Sequence, residues 1–95
     1  MDITRHLRIS GRVQGVGFRA ALHAEAQSNG VAGWVRNRTD GTVEAVLQGS
    51  PAAVNAVLSW AQRGPAGARV TSVDAPPAHG EFDRSYSGFE FLPTA

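Results

Sequence analysis

Val13-Gln14-Gly15-Val16-Gly17-Phe18-Arg19 decides how this chain folds, because it carries the main chain out of a two-residue period and into a helical one. Upstream, Leu7, Ile9, Gly11 and Val13 alternate with Arg8, Ser10 and Arg12, the pattern of a strand buried on one face. Downstream, residues 19 to 29 carry Ala20, Ala21, Leu22, Ala24 and Ala26, with Phe18, Leu22 and Ala26 one turn apart. High alanine content favours a helix there, and Asn29-Gly30 is a sound stop. Between the two elements, Gly15 and Gly17 have no Cβ, so they reach φ values closed to other residues and let successive N–H groups converge on an anion. Arg19 then falls in the first helical turn, where N–H groups lack acceptors and the macrodipole is positive. An arginine has the wrong sign for that dipole. Its position makes sense if a polyanion lies between the guanidinium and the loop amides. The same residues also serve as a plain turn followed by a solvated arginine, and Gly-x-Gly alone does not separate the two readings. The loop lacks the Gly-Lys-Ser/Thr ending of a nucleotide-binding loop and the third glycine of a dinucleotide site.

Working outward, a second strand is expected from about Val31 to Asn37, a turn at Thr39-Asp40-Gly41, and a third strand from Thr42 to Gln48, where Val43, Ala45 and Leu47 alternate with polar neighbours. Ser50-Pro51 opens a second helix, with serine as N-cap and proline at the first helical position. Val54, Val57, Leu58 and Ala61 form its buried face, and Gly64-Pro65 ends it. A fourth strand over Arg69 to Ala75 has Val70 and Val73 at different parity, which predicts a bulge or an edge position. Pro76 to Ser87 reads as a polar loop, and Phe89 and Phe91 flank Glu90 in a short last strand. The first few and last three or four residues are expected to be disordered. The order βαββαβ with one-sided elements predicts an α+β, ferredoxin-like two-layer sandwich: an antiparallel sheet with two helices on one face, spanning residues 1–95 as one domain. That topology allows the glycine loop and the end of the second strand to meet at one edge.

Composition narrows the chemistry. The formal charge of +1 argues against a broad nucleic-acid-binding surface. All nine basic residues are arginine, so neither a Schiff base nor an ammonium grip on phosphate is available. No cysteine is present, which removes thiol nucleophiles, disulfides and thiolate metal sites. No stretch approaches membrane-spanning length and the start has no apolar leader pattern, so a cytoplasmic monomer is the expectation. His6, His23 and His79 are scattered and read as solvated, the acidic residues show no ligand cluster, and no metal or other cofactor is expected.

The remaining chemical candidate is Asn37, in Gly33-Trp34-Val35-Arg36-Asn37-Arg38. Asparagine is a good turn residue and a poor strand residue, so it serves equally to open the hairpin. Functionally, its carboxamide offers a donor and an acceptor, and beside a bound phosphate it would aim a water molecule for in-line attack.

Taken together, Gly11-x-Val13-Gln14-Gly15-Val16-Gly17-Phe18-Arg19, Gly33-Trp34-Val35-Arg36-Asn37, Asp40-Gly41-Thr42-Val43-Glu44 and Gly64-Pro65 closely resemble the acylphosphatase family over nearly the whole chain, in its bacterial-type, standalone form. The resemblance implies hydrolysis of acyl phosphates, the mixed carboxylic-phosphoric anhydrides, without a metal or a phosphoenzyme. It implies that Arg19 holds the phosphoryl group with the amides of Gln14, Gly15, Val16, Gly17 and Phe18, while Asn37 orients the attacking water. The physics agrees: a carboxylate is already a good leaving group, so positioning and charge stabilisation suffice. The chain departs from many animal members in placing Arg38, not threonine, after the asparagine. Arg38 then either adds positive potential or is a solvated hairpin charge.

Two other readings are carried. An RNA-binding sheet of the same architecture would need aromatic residues on its open face, whereas strands one and three offer Arg8, Ser10, Arg12, Thr42, Glu44 and Val46 there. The chain also resembles the acylphosphatase-like domain of hydrogenase-maturation carbamoyltransferases, whose substrate would be carbamoyl phosphate. Those are much longer chains with zinc-finger motifs. The sequence singles out no residue for the acyl group.

Overall fold

The structure is a computed structural model that describes residues 1–95. Its elements are β1 (Ile3–Arg12), α1 (Phe18–Ser28), β2 (Ala32–Asn37), β3 (Val43–Gly49), α2 (Pro51–Ala61), β4 (Arg69–Asp74) and β5 (Phe89–Phe91), with a single 3₁₀ turn at Gly80–Phe82. The sheet runs β4-β1-β3-β2-β5. Its first four strands pair antiparallel, in the ferredoxin-like order. β5 then adds in parallel beside β2, so the sheet is mixed rather than wholly antiparallel.

Strand alternation sets the layers. Leu7, Ile9, Val35, Val43, Ala45 and Leu47 are fully buried on one face, against Phe18, Leu22 and Ala26 of α1 and Val54, Val57 and Ala61 of α2. Each of the valine, leucine, isoleucine and phenylalanine side chains among them withdraws apolar surface worth about 1.5–3 kcal/mol, and the alanines less, which together offset the entropy of ordering the chain. α1 ends in a Schellman arrangement: Gly30, at φ 68, donates to Gln27 O at 3.1 Å and Val31 donates to Ala26 O at 2.8 Å. α2 begins with Ser50 accepting from the Ala53 amide at 3.2 Å and Pro51 in the first turn. β4 is both an edge strand and bulged. Ser10 pairs with Ser72 and Gly11 with Val70, leaving Thr71 as the extra residue, and this lets Val70 and Val73 both pack on the core.

The ends are more ordered than expected from the sequence. β1 already pairs at Ile3, opposite Gly49. Beyond β5, Leu92 donates to Val35 O at 2.9 Å, Ala95 donates to Asn37 O at 3.2 Å, and Thr39 donates to Ala95 O at 3.0 Å. The last residues thus extend the β5 line along β2, satisfying main-chain groups that an edge would leave open.

Pro76 to Ser87 is likewise more than a polar loop. Pro76 and Ala78 hydrogen-bond to His6 and Thr4 of β1. The segment then crosses the open face, where the Phe82 ring lies 4.4 Å from His6 and 5.8 Å from Trp34. Trp34 therefore supplies the aromatic that strands one and three lack, but it is buried under Phe82 and an Arg36 guanidinium 4.8 Å from its ring, unavailable for stacking bases. No helix is long and apolar enough to cross a membrane.

Candidate active site

β1 and β2 both pair antiparallel with β3, so they run in the same direction and finish at the same end of the sheet on either side of it. β5, parallel to β2, ends there too. The chain leaving β1 enters the Gly15–Gly17 loop, β2 ends on Asn37, and α1 starts directly above. This juxtaposition follows from topology, and it opens a cavity of about 270 Å³ lined by Gln14, Gly15, Gly17, Arg19, Asn37 and Phe91 with Val13, Phe18 and Ala20 behind them. Val16 does not line it. Its side chain packs against the core instead.

The loop conformation needs its glycines. Gly15 has φ 75 and Gly17 has φ 77, both left-handed, and a Cβ on either would meet nothing within 4 Å. Backbone conformation, not space, is what selects glycine here. Gly17 is also the N-cap of α1, with no side-chain cap and no acidic residue in the first turn. None of the N–H groups from Gln14 to Ala20 donates to a group of the chain; the first that does is Ala21, to Gly17 O at 3.1 Å. A run of free donors at an uncapped helix start has the geometry to receive an anion.

Arg19 is half-buried in the cavity wall, and no carboxylate pairs with it. The oxygen Oδ1 of Asn37 is buried without any hydrogen-bond partner, although the residue lines the cavity. Such an acceptor ordinarily finds a donor, because leaving it empty costs about 1–3 kcal/mol. Phe18 points away from the cavity into the core, its ring 5.3 Å from Trp60, and this anchors the start of α1.

Gln14 does something the sequence did not announce. Its side-chain Nε2 donates to Arg38 O at 2.8 Å and to Thr42 O at 2.9 Å, tying the glycine loop to the hairpin that carries Asn37. A second unexpected element lies on the open face beneath Asn37. Glu44, only 2 % exposed, accepts from His6 Nε2 at 2.6 Å, Arg36 Nε at 2.7 Å and Arg38 NH1 at 3.2 Å. Burial pushes the Glu44 carboxyl up, but hydrogen bonds from His6 and Arg36 outweigh it and hold the group below the ordinary carboxylate range. Arg38 is therefore neither a free positive field nor a solvated charge, and Arg36 and Arg38 clamp the strand on either side of Asn37. At the hairpin tip, Asp40 Oδ1 accepts from Thr42 Oγ1 at 2.7 Å and from the Thr42 amide at 3.0 Å, which lowers its pKa.

Two histidines also depart from the solvated reading. His6 joins the Glu44 cluster, and His23 bonds Phe89 O through Nε2 at 3.0 Å while its ring stacks on Phe91. The alternation pattern marked Glu44 as open-face, but its partners come from β1, from β2 and from the residue just past β2, and follow no spacing rule in the sequence. No group of three or more His, Cys, Asp or Glu side chains gathers in the chain.

A family model described as Acylphosphatase matches residues 5–91. An acylphosphatase of Thiobacillus denitrificans is 55 % identical over 87 residues, covering 92 % of this chain and 93 % of that protein. Among solved structures, an acylphosphatase from Coxiella burnetii superposes with a TM-score of 0.87 at 32 % identity, over 96 % of this chain and 93 % of the other. A full-length HypF shares the fold, with a TM-score of 0.87 at 22 % identity, but this chain covers only 12 % of it.

Proposed function

The chain belongs to the acylphosphatase family and hydrolyses acyl phosphates to a carboxylate and inorganic phosphate, and we propose that it does so in the cavity between the glycine loop and Asn37. The free amides of Gln14, Gly15, Val16, Gly17 and Phe18 donate to the phosphoryl oxygens, and the Arg19 guanidinium donates to the same group as a planar fork. A water molecule donates to Asn37 Oδ1, which leaves its lone pair aimed at phosphorus. As the new P–O bond forms, the bond to the acyl oxygen breaks and its electron pair departs with the carboxylate. No His, Asp or Glu lines the cavity, so the proton of the water passes to a phosphoryl oxygen of the substrate. Negative charge shifts onto groups that already face donors, and because those donors are in place before reaction, little reorganisation is needed.

What carries this reading is the meeting, in one cavity, of unused amides, an unpaired guanidinium and an unpartnered buried carboxamide oxygen. Each is costly or idle in the unliganded fold, and a phosphoryl group with its water satisfies all three. The chemistry asks for no metal. Purified protein given acetyl phosphate with excess chelator therefore releases phosphate at an undiminished rate, and inorganic phosphate inhibits competitively. Loss of activity on chelation, restored by a divalent cation, overturns the metal-free reading. The same reading takes residues 1–95 as one domain acting as a monomer on small molecules in the cytoplasm; size-exclusion chromatography with light scattering tests the monomer.

A further inference from the structure

Apart from Met1, Phe91 is the large hydrophobic residue that this fold leaves exposed, at 52 %. It lies in the wall of the catalytic cavity. Of the other apolar residues there, Val13 and Phe18 are buried to 1 % and Ala20 offers only a methyl group. Phe91 is thus the one sizeable apolar surface that a molecule in the cavity can touch.

The ring is held in place. Phe91 stands opposite Val35 in the parallel β2–β5 pair, so its side chain shares the helix-facing side of the sheet with Val35 and Asn37. There it stacks on His23, with centroids 4.5 Å apart and planes 13° from parallel. His23 is itself anchored to Phe89 O and lies edge-on to the Phe89 ring, 5.7 Å away. Arg19 and His23 are four residues apart on α1 and therefore share a helix face. The imidazole covers one face of the Phe91 ring, one helical turn along from the arginine, while the residue as a whole stays 52 % exposed.

Resting on the reading that this cavity grips the phosphoryl group, we propose that Phe91, backed by His23, is the acyl-group subsite, and that it favours flat, aromatic acyl phosphates over small aliphatic ones. The polar donors of the cavity serve the phosphoryl half of the substrate, and the acyl half leaves the cradle across the exposed Phe91 ring. A planar acyl group conjugated with its carboxyl stacks on that ring, whereas an acetyl group is too small to cover it. Stacked aromatic pairs in preorganised surroundings are worth up to about tenfold in binding.

The experiment measures kcat/KM for benzoyl phosphate and acetyl phosphate with the wild type, Phe91→Ala, Phe91→Leu and His23→Ala. Phe91→Ala lowers kcat/KM for benzoyl phosphate about tenfold and for acetyl phosphate less than about twofold, with inhibition by inorganic phosphate unchanged. Phe91→Leu, which keeps apolar bulk without a flat face, falls between, and His23→Ala lowers the benzoyl-to-acetyl ratio in part by freeing the ring. An unchanged ratio in Phe91→Ala, or equal loss of both substrates, overturns the subsite and leaves the phosphoryl reading standing. Absence of acetyl phosphate turnover in the wild type overturns the phosphoryl reading itself.

Discussion

Arg19→Ala separates a residue kept for function from one kept for the fold. Arg19 sits in the first turn of α1, after an N-cap glycine with no side-chain cap, and no carboxylate neutralises it. Its charge opposes the helix dipole at a cost of about 0.3–1 kcal/mol. Alanine at that site removes the penalty, orphans no partner and keeps helix propensity within a few tenths of a kcal/mol. The variant should therefore melt at the wild-type temperature or above it by a few degrees, since 1 kcal/mol moves a chain of this size by about 4–8 °C. Activity should move the other way. Loss of a charge-assisted, forked phosphate contact in a preorganised site costs about 3 kcal/mol or more, on the order of a hundredfold in kcat/KM. Ligand linkage gives a third readout, because inorganic phosphate at 100 times its dissociation constant adds about 2.7 kcal/mol to the wild type. The same concentration should add far less to the variant. Calorimetry with and without phosphate, beside initial rates on acetyl phosphate, measures all three. A variant that melts several degrees lower, or keeps activity within a few-fold, would refute the reasoning, since the guanidinium would then be serving the fold.

Asn37→Ala should lower kcat by about a hundredfold while the inhibition constant for inorganic phosphate changes by less than about twofold; weakened phosphate binding with normal turnover contradicts the water-orienting role. Gly17→Ala meets no steric obstacle, so its cost is the left-handed backbone alone, about 1–2 kcal/mol in urea denaturation, and Gly17→Asn should lose less because asparagine tolerates that conformation. Equal losses for the two would mean that strain is not the cause. Glu44 has its folded pKa below its unfolded value of about 4.5, so between the two the unfolded chain binds a proton that the folded chain lacks. Its stabilisation is whole above the unfolded value and is lost as pH falls through the folded one. The urea midpoint of the wild type should therefore drop on acidification below about pH 5, while that of Glu44→Gln starts lower and falls less. Asp40 shifts in the same direction in both proteins, so the difference between them reports Glu44, and parallel curves would dismiss it.

Element identity was legible in the residues because it depends on periods along the chain. Leu7 and Ile9 alternate, Phe18, Leu22 and Ala26 recur by turns, Ser50-Pro51 starts a helix and Asn29-Gly30 stops one, and each signal needs only its neighbours. The parity clash between Val70 and Val73 likewise foretold the bulge. The joint pattern of the glycine loop, Arg19 and the strand ending in Asn37 marked the family, since each half alone is weak and both together are specific.

What the sequence could not hold is everything set by side chains meeting from distant positions. Gln14 reaching Arg38 and Thr42, Glu44 drawing in His6, Arg36 and Arg38, and the last residues pairing with β2 are contacts whose partners share no spacing rule. Phe89 and Phe91 show the difference most plainly: the same residue type, at the same parity, in the same strand. One is sealed beneath α1 and the other opens onto the cavity, because only the packing of the helix over the sheet edge determines where the core stops. Local propensity and pattern therefore determined which elements form and which face each buries, while the docking of those elements decided which polar atoms remain unpaired in the cavity beside Asn37.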